Sequence, residues 1–106
     1  MRCAAIAGAV LLAAAVAGEP AQAAPAVHRV VMAKMKFGPL PANLRPGDVI
    51  LWVNGDLFRH SATARDGSFS IDLPPGTSGR TVIRGKGAIP FFCKYHPGMK
   101  GVLVSR

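Results

Sequence analysis

Acidic side chains are scarce in this 106-residue chain, which carries five Asp and Glu against thirteen Lys and Arg and a formal net charge of +8. Beyond Glu19, only four aspartates remain: Asp48, Asp56, Asp66 and Asp72. This scarcity argues against a hydrolase that depends on paired carboxylates. The cations are scattered, with no Lys/Arg run and no nucleic-acid-binding motif, so nucleic acid is not expected as a partner.

Residues 1–23 have the composition of a cleavable export signal. A positive start precedes an apolar segment at residues 4–17, which is rich in Ala, Val and Leu, and Gly18-Glu19-Pro20 interrupts it. Ala21-Gln22-Ala23 has the small residues that a signal peptidase requires, so we predict cleavage after Ala23. A membrane anchor is the alternative, but the apolar run is shorter than the roughly 20 residues that span a bilayer.

This reading divides the chain into a helical signal peptide at 1–23 and a single domain at 24–106. We therefore expect a periplasmic protein with no stable membrane insertion after cleavage. Cys3 leaves with the signal, so Cys93 is the only cysteine of the domain and no internal disulfide is possible. An unpaired thiol in an oxidising compartment requires another explanation, and metal ligation is one, because a bound thiolate is deprotonated and protected.

No part of the domain shows a sustained helical period, an internal repeat or a long linker. Gly and Pro recur at short intervals with short apolar runs between them, which is typical of an all-β sandwich or barrel. Turn sequences such as Asp66-Gly67 and Pro74-Pro75-Gly76 separate the runs. Eight strands are predicted, at residues 27–32, 35–37, 48–54, 60–63, 68–72, 79–83, 89–93 and 101–105.

The third predicted strand is apolar on both faces. Ile50, Trp52 and Asn54 lie on one face, and Val49, Leu51 and Val53 lie on the other. This pattern predicts a strand in the centre of the sandwich.

Cys93 lies at the end of the seventh predicted strand, where it shares a face with Ile89 and Phe91. Its sulfur is therefore expected to point toward the core. A thiolate in such surroundings needs a neutralising partner, because burial of an unpaired charge is costly.

The strongest motif in the sequence is a Cys-x2-His-x2-Met spacing formed by Cys93, His96 and Met99 on a loop between two predicted strands. A short loop can aim a thiolate, an imidazole and a thioether at one point. His60 supplies a second imidazole, because strand ends meet at the same pole of a sandwich. Two His and one Cys with a weak axial Met form the ligand set of blue copper sites. The sequence therefore predicts one type 1 copper per chain and no catalytic residues.

The residues around this motif resemble the cupredoxin family, the group of plastocyanin, pseudoazurin and amicyanin. The resemblance covers nearly the whole domain, and the ligand loop has the short amicyanin-like spacing. The matching segments are Phe37-Gly38-Pro39, Pro46-Gly47-Asp48, Trp52-Val53-Asn54 with Asp56, then His60, Ala62 and Thr63, Asp66-Gly67-Ser68-Phe69, Pro75-Gly76-Thr77-Ser78 and residues 93–104.

The resemblance implies a Greek-key β-sandwich or barrel with His60, Cys93 and His96 as equatorial copper ligands and Met99 as the axial ligand. It also implies that one edge of His96 lies near the surface, within an apolar patch, and serves as the electron port. Ser61 is expected to help fix the loop by hydrogen bonding near the Cys93 sulfur.

Arg59 departs from the family pattern, because it stands where relatives often have Pro. A cation beside the site is expected to favour the reduced state and to raise the reduction potential. His28, near the start of the domain, is not expected to be a ligand.

The function that this predicts is electron transfer without catalysis. A monomeric carrier would cycle between Cu(I) and Cu(II) and dock transiently on acidic faces of redox partners, such as a c-type cytochrome or a periplasmic dehydrogenase. The basic surface predicts association that slows with salt.

Other functions stay open at this stage. One is copper delivery or sequestration without a redox circuit, and another is an Ig-like interaction domain without metal. A zinc site is disfavoured because a thioether is a poor zinc ligand. A thiol enzyme would need an activating base and an orienting acid, and no such third group lies close in sequence.

Overall fold

The computed structural model describes Gly8 and residues 24–106, so the predicted signal segment lies, apart from Gly8, outside the described residues. The described chain forms eight strands, and all eight predicted strands are confirmed, with ends shifted by at most two residues. They are β1 (Val27–Ala33), β2 (Lys36–Phe37), β3 (Val49–Asn54), β4 (His60–Ala64), β5 (Ser70–Leu73), β6 (Ser78–Val82), β7 (Gly87–Phe92) and β8 (Lys100–Ser105). Within the described residues, a helix with the length and hydropathy of a membrane span is absent.

The strands form two four-stranded sheets, one in the order β2-β1-β3-β6 and the other in the order β5-β4-β7-β8. The chain changes sheet after β3, after β5 and after β6, which makes an all-β Greek-key sandwich, as predicted. Strands β1 and β3 are parallel, and the other strand pairs within the sheets are antiparallel. Residues 34–48, which include the short strand β2, provide the long connection that a parallel pair requires.

Aromatic rings fill the space between the sheets. Trp52 and Phe91 are fully buried, with ring centroids 5.2 Å apart in an edge-to-face arrangement. Phe37 packs on both, at 5.8 Å from Trp52 and 4.7 Å from Phe91. The indole Nε1 donates to Thr81 Oγ1 at 2.8 Å, so the polar atom of the buried Trp52 is satisfied.

Strand β3 is central in its sheet, between β1 and β6, as its sequence predicts. Ile50 and Trp52 are fully buried in the core. Val49, Leu51 and Val53 are only half-buried, because they lie on the outer face of the sheet. The apolar residues on both faces therefore reflect the central position of β3 in its sheet. Only the face with Ile50 and Trp52 is covered by the core, and the other face lies at the surface.

The end of β7 differs from the prediction by one residue that matters for the site. The strand ends at Phe92, not at Cys93. The last β7–β8 ladder pair joins Phe92 to Lys100, and the Cys93 N–H then donates to the Met99 carbonyl at 2.9 Å, which closes a loop. Cys93 is therefore the first residue of the loop, and the hydrogen bonds between β7 and β8 fix the strand end that precedes it.

The predicted orientation of the thiol is confirmed. Ile89, Phe91 and Cys93 are all buried, so the cysteine continues the inward face of β7 past the end of the strand. Strand β4 begins at His60 and pairs with β7, and this pairing brings the two strand ends to the same pole of the sandwich.

Candidate metal centre

Three of the four predicted ligands come together at this pole. His60 Nδ1 and His96 Nδ1 lie 3.2 Å apart, and Cys93 Sγ lies 3.8 Å from each of them. The point equidistant from these three atoms is about 2.1 Å from each, close to the roughly 2.0–2.3 Å of metal bonds to His nitrogen and Cys sulfur. Two imidazoles and one thiolate at this spacing fit a single type 1 copper ion.

His60 is fixed by a carboxylate on its outer side. Its ring is fully buried, and its Nε2 donates to Asp56 Oδ2 at 2.8 Å. The tautomer that carries the proton on Nε2 leaves the Nδ1 lone pair directed at Cys93 and His96. Hydrogen bonds from His60 and then from the Met35 N–H hold the pKa of Asp56 below its ordinary value, so the carboxylate is charged at neutral pH.

The same carboxylate holds a distant hairpin turn. Lys34 and Met35 form the two-residue turn between β1 and β2, with φ of 54° and 60°, both in the left-handed region. Asn and Gly are the residues that usually occupy such turns, because other side chains are strained there. Here Asp56 accepts from the Lys34 N–H at 2.8 Å and the Met35 N–H at 3.0 Å, which stabilises the turn.

Sequence reasoning placed Asp56 in the family frame without giving it a role. The available signal was its position four residues before His60. Its role in stabilising the turn at Lys34 and Met35 could not be inferred from the sequence, because that turn is 21 to 22 residues away in the chain.

A buried amide shapes the segment that leads to His60. Asn54 Nδ2 donates to the carbonyls of Phe58 at 2.7 Å and Leu73 at 2.9 Å, and Asn54 Oδ1 accepts from the Asp56 N–H at 2.9 Å. Both ends of the amide are thus satisfied. These hydrogen bonds therefore fix the loop between β3 and β4.

Ser61 joins the two segments that carry the candidate ligands, as expected. Its backbone N–H donates to Cys93 Sγ at 3.3 Å, and its Oγ accepts from the Lys94 N–H at 2.8 Å. Cys93 is fully buried, so this N–H is a close source of positive potential for a thiolate. Hydrogen bonding at the cysteine sulfur is one of the features that tune blue copper sites.

Met99 belongs to the same closed loop. Its N–H donates to the His96 carbonyl at 2.8 Å, its carbonyl accepts from the Cys93 N–H at 2.9 Å, and the residue is 4% exposed. The buried thioether therefore lies on the loop that carries Cys93 and His96. Its ligation of copper stays a prediction.

The half-buried His96 is bordered by apolar surface. The Phe58 ring lies edge-on to the imidazole, with centroids 6.1 Å apart, and is 58% exposed. Leu57 is 90% exposed, and Pro97 and Gly98 are also exposed. We call these four residues with His96 the apolar patch. This apolar surface beside His96 agrees with the surroundings that the family resemblance implies, and the role of His96 as an electron port stays a prediction.

His28 is not among the three clustered donors and is paired with an aspartate. Its Nε2 donates to Asp48 Oδ2 at 2.9 Å. Asp48 also accepts from the N–H groups of Ala26 and Arg45, at 3.0 and 3.1 Å. This histidine therefore helps to anchor the start of β1.

Comparison with known proteins supports the fold. A scan against protein-family models finds no match for this chain, and a search of curated proteins finds no relative. Solved structures do match. Amicyanin from Paracoccus versutus (Thiobacillus versutus) aligns with a TM-score of 0.64 and 22% identity over 82% of this chain and 86% of that chain.

Two amicyanin mutants align equally well. The Cu(I) form of a methionine-to-alanine mutant has a TM-score of 0.65 and 23% identity over 81% of this chain and 88% of that chain. The reduced state of a proline-to-phenylalanine mutant has a TM-score of 0.66 and 21% identity over 76% of this chain and 82% of that chain. The chain thus has the cupredoxin fold of the amicyanins and a candidate copper site at its pole.

Proposed function

We propose that this protein is a type 1 copper electron carrier that binds one copper through His60, Cys93 and His96, with Met99 as the axial ligand. The convergence of two imidazole nitrogens on a buried cysteine sulfur carries the proposal. The fold supports it, because amicyanins with the same fold are known in Cu(I) and oxidised forms.

The residues of this chain would hold the donor set in one arrangement. A copper ion bound there would supply a one-electron Cu(I)/Cu(II) couple. Asp56 fixes the ring of His60, and Ser61 fixes the sulfur of Cys93 and the loop that follows it. Because these hydrogen bonds hold the donors in place, their geometry would change little between the two oxidation states of a bound copper, and rapid electron transfer requires such small reorganisation.

The surface around His96 suits transient docking. The apolar patch can exclude water when a partner covers it, and the imidazole lies within that patch. Cys93, by contrast, is fully buried, so a substrate cannot reach its sulfur. These two observations favour an electron carrier over a thiol enzyme.

The basic charge of the chain and the composition of its N-terminal segment support a proposal about where the protein acts and what it docks on. We propose that residues 1–23 direct export, that the domain at 24–106 acts in the periplasm as a monomer, and that its partners present acidic docking faces. A c-type cytochrome or a periplasmic dehydrogenase would fit. With a net charge of +8, the bimolecular electron-transfer rate with such a partner should fall as ionic strength rises. A rate that is independent of salt would contradict electrostatic docking.

Copper delivery is the alternative use of the same site. It requires ready release of the metal, whereas the burial of His60 and Cys93 and the closed ligand loop favour retention. The two uses are separated by measuring electron self-exchange of the copper protein alongside copper transfer to an acceptor chelator. We expect fast electron exchange and slow copper transfer. Fast copper loss with slow electron exchange would establish delivery and contradict the proposal.

A further inference from the structure

A charged cluster joins Asp72 to neighbours in sequence of the candidate metal ligands and includes none of those ligands. Asp72, on β5, accepts a hydrogen bond from Tyr95 Oη at 2.6 Å. Its carboxylate oxygens also lie 3.0 Å from Lys94 Nζ and 3.7 Å from Arg59 Nη1. One phenol and two cations from two separate segments thus meet at one acidic side chain.

The position of these three groups along the chain links Asp72 to the site. Arg59 directly precedes His60, and Lys94 and Tyr95 are the two residues between Cys93 and His96. Asp72 itself is paired with Ser61 in the β4–β5 ladder, so it stands on a fixed strand. One carboxylate therefore binds both segments that carry the candidate ligands.

The cluster is also unusual in its charge. Among the described residues, the two ion pairs that involve Lys or Arg, with Lys94 and with Arg59, are both made by Asp72. The other ion pairs join an aspartate to a histidine. On a chain with a net charge of +8, this carboxylate pairs with two cations that directly adjoin His60 and Cys93 in the sequence.

The electrostatic consequence changes the expectation for Arg59. A lone cation near a copper site favours Cu(I), but Asp72 offsets this effect by pairing with the guanidinium. Hydrogen bonds from Tyr95 and then Lys94 hold the pKa of Asp72 below its ordinary value, so its charge is present at neutral pH. The side chain is 40% exposed, so screening by solvent keeps the effect modest.

We propose that Asp72 is a positioning residue of the metal centre, which clamps the ligand loop to the β4–β5 hairpin and offsets the positive charge of Arg59 and Lys94. Its effect on copper rests on the proposed function. Its clamping of the loop does not, because these contacts are made by the protein alone.

The test uses three variants that separate charge from clamping. Asp72→Asn removes the charge but keeps an acceptor for the phenol. Tyr95→Phe removes only the phenol hydrogen bond. Asp66→Asn is the matched control, because Asp66 caps the turn at the far end of the same hairpin, where its Oδ1 accepts from the Ser68 N–H.

Two measurements test the charge compensation and the clamping separately. In the copper protein, we expect Asp72→Asn to shift the Cu(I)/Cu(II) equilibrium toward Cu(I) by about twofold to tenfold, which is a rise in potential of up to about 59 mV. In the metal-free protein, we expect Tyr95→Phe to speed the hydrogen exchange of the Lys94 and Met99 amides several-fold, with little change in potential. Asp66→Asn should change neither.

If the Asp72→Asn and Asp66→Asn proteins have the same reduction potential, Asp72 does not offset the charge of Arg59 and Lys94. Unchanged amide exchange in Tyr95→Phe would overturn the clamp. If the unmodified protein binds no copper, the proposed function fails, and the exchange measurement still decides the clamp because it requires no metal.

Discussion

Replacing Asp56 by asparagine removes the charged acceptor that holds the His60 ring at 2.8 Å. Asparagine has one acceptor oxygen in place of two. The imidazole N–H and the backbone N–H groups of Lys34 and Met35 would then compete for it, and the amide NH2 would face at least one of these donors. His60 would lose the partner that fixes its tautomer.

The expected losses of copper affinity and of folding stability come from the two sets of hydrogen bonds that Asp56 accepts, from His60 and from the turn. Loss of an outer partner of a metal-binding histidine lowers metal affinity by about 10- to 100-fold, or about 1.4 to 2.8 kcal/mol. The turn at Lys34 and Met35 also loses hydrogen bonds to a charged group, which contribute about 1.5 to 3 kcal/mol each. We therefore expect the Asp56→Asn variant to bind copper more weakly and to unfold more easily even without metal.

Chelator competition measures the affinity, and urea unfolding of the metal-free protein measures the stability. Asp66→Asn is the control, because it removes the same charge from an exposed turn, and we expect its copper affinity to stay within about twofold of the unmodified protein, as for a surface change. Equal affinities for the Asp56 and Asp66 variants would refute the argument that a carboxylate orients His60.

Two further predictions concern the packing and the start of the fold. Gly101→Ala places a methyl group 2.7 Å from Cζ of the buried Phe91, so we expect urea unfolding to show about 1 to 3 kcal/mol of destabilisation. The control Gly85→Ala adds its methyl group in open space and should cost almost nothing. Equal losses of stability in the two variants would contradict the packing account. Asp48→Asn removes a carboxylate whose pKa the hydrogen bond from His28 lowers from 3.8, so its contribution is present above about pH 4 and is lost as pH falls further. The stability difference from the unmodified protein should therefore be about 1 to 3 kcal/mol at pH 7 and shrink as the carboxylate becomes protonated in acid, and a difference that does not vary with pH would argue against it.

The strands could be predicted because their signals are local. Turn residues such as Asp66-Gly67 mark the strand ends, and alternation marks the inward faces. The loop with Cys93, His96 and Met99 was equally accessible, because spacing and residue type lie within seven positions of the chain. His60 was predicted only because a sandwich returns its strand ends to a common pole.

The remaining features depend on pairings that the sequence does not display. The parallel register of β1 and β3 brings the turn at Met35 to Asp56. Likewise, the β4–β5 ladder brings Asp72 opposite Ser61 and within reach of Tyr95. Each contact spans 11 or more residues, so no local pattern predicts it. The outer face of β3 shows the same limit, because an apolar pattern does not distinguish a covered face from a surface one.

The visible spectrum of the protein after addition of Cu(II) tests the central claim most directly. A buried Cys93 thiolate within reach of both histidine nitrogens should give an intense thiolate-to-copper absorption band, and Cys93→Ser should abolish it while leaving the protein folded. A colourless unmodified protein that binds no copper tightly, or a band that persists in Cys93→Ser, would contradict the account.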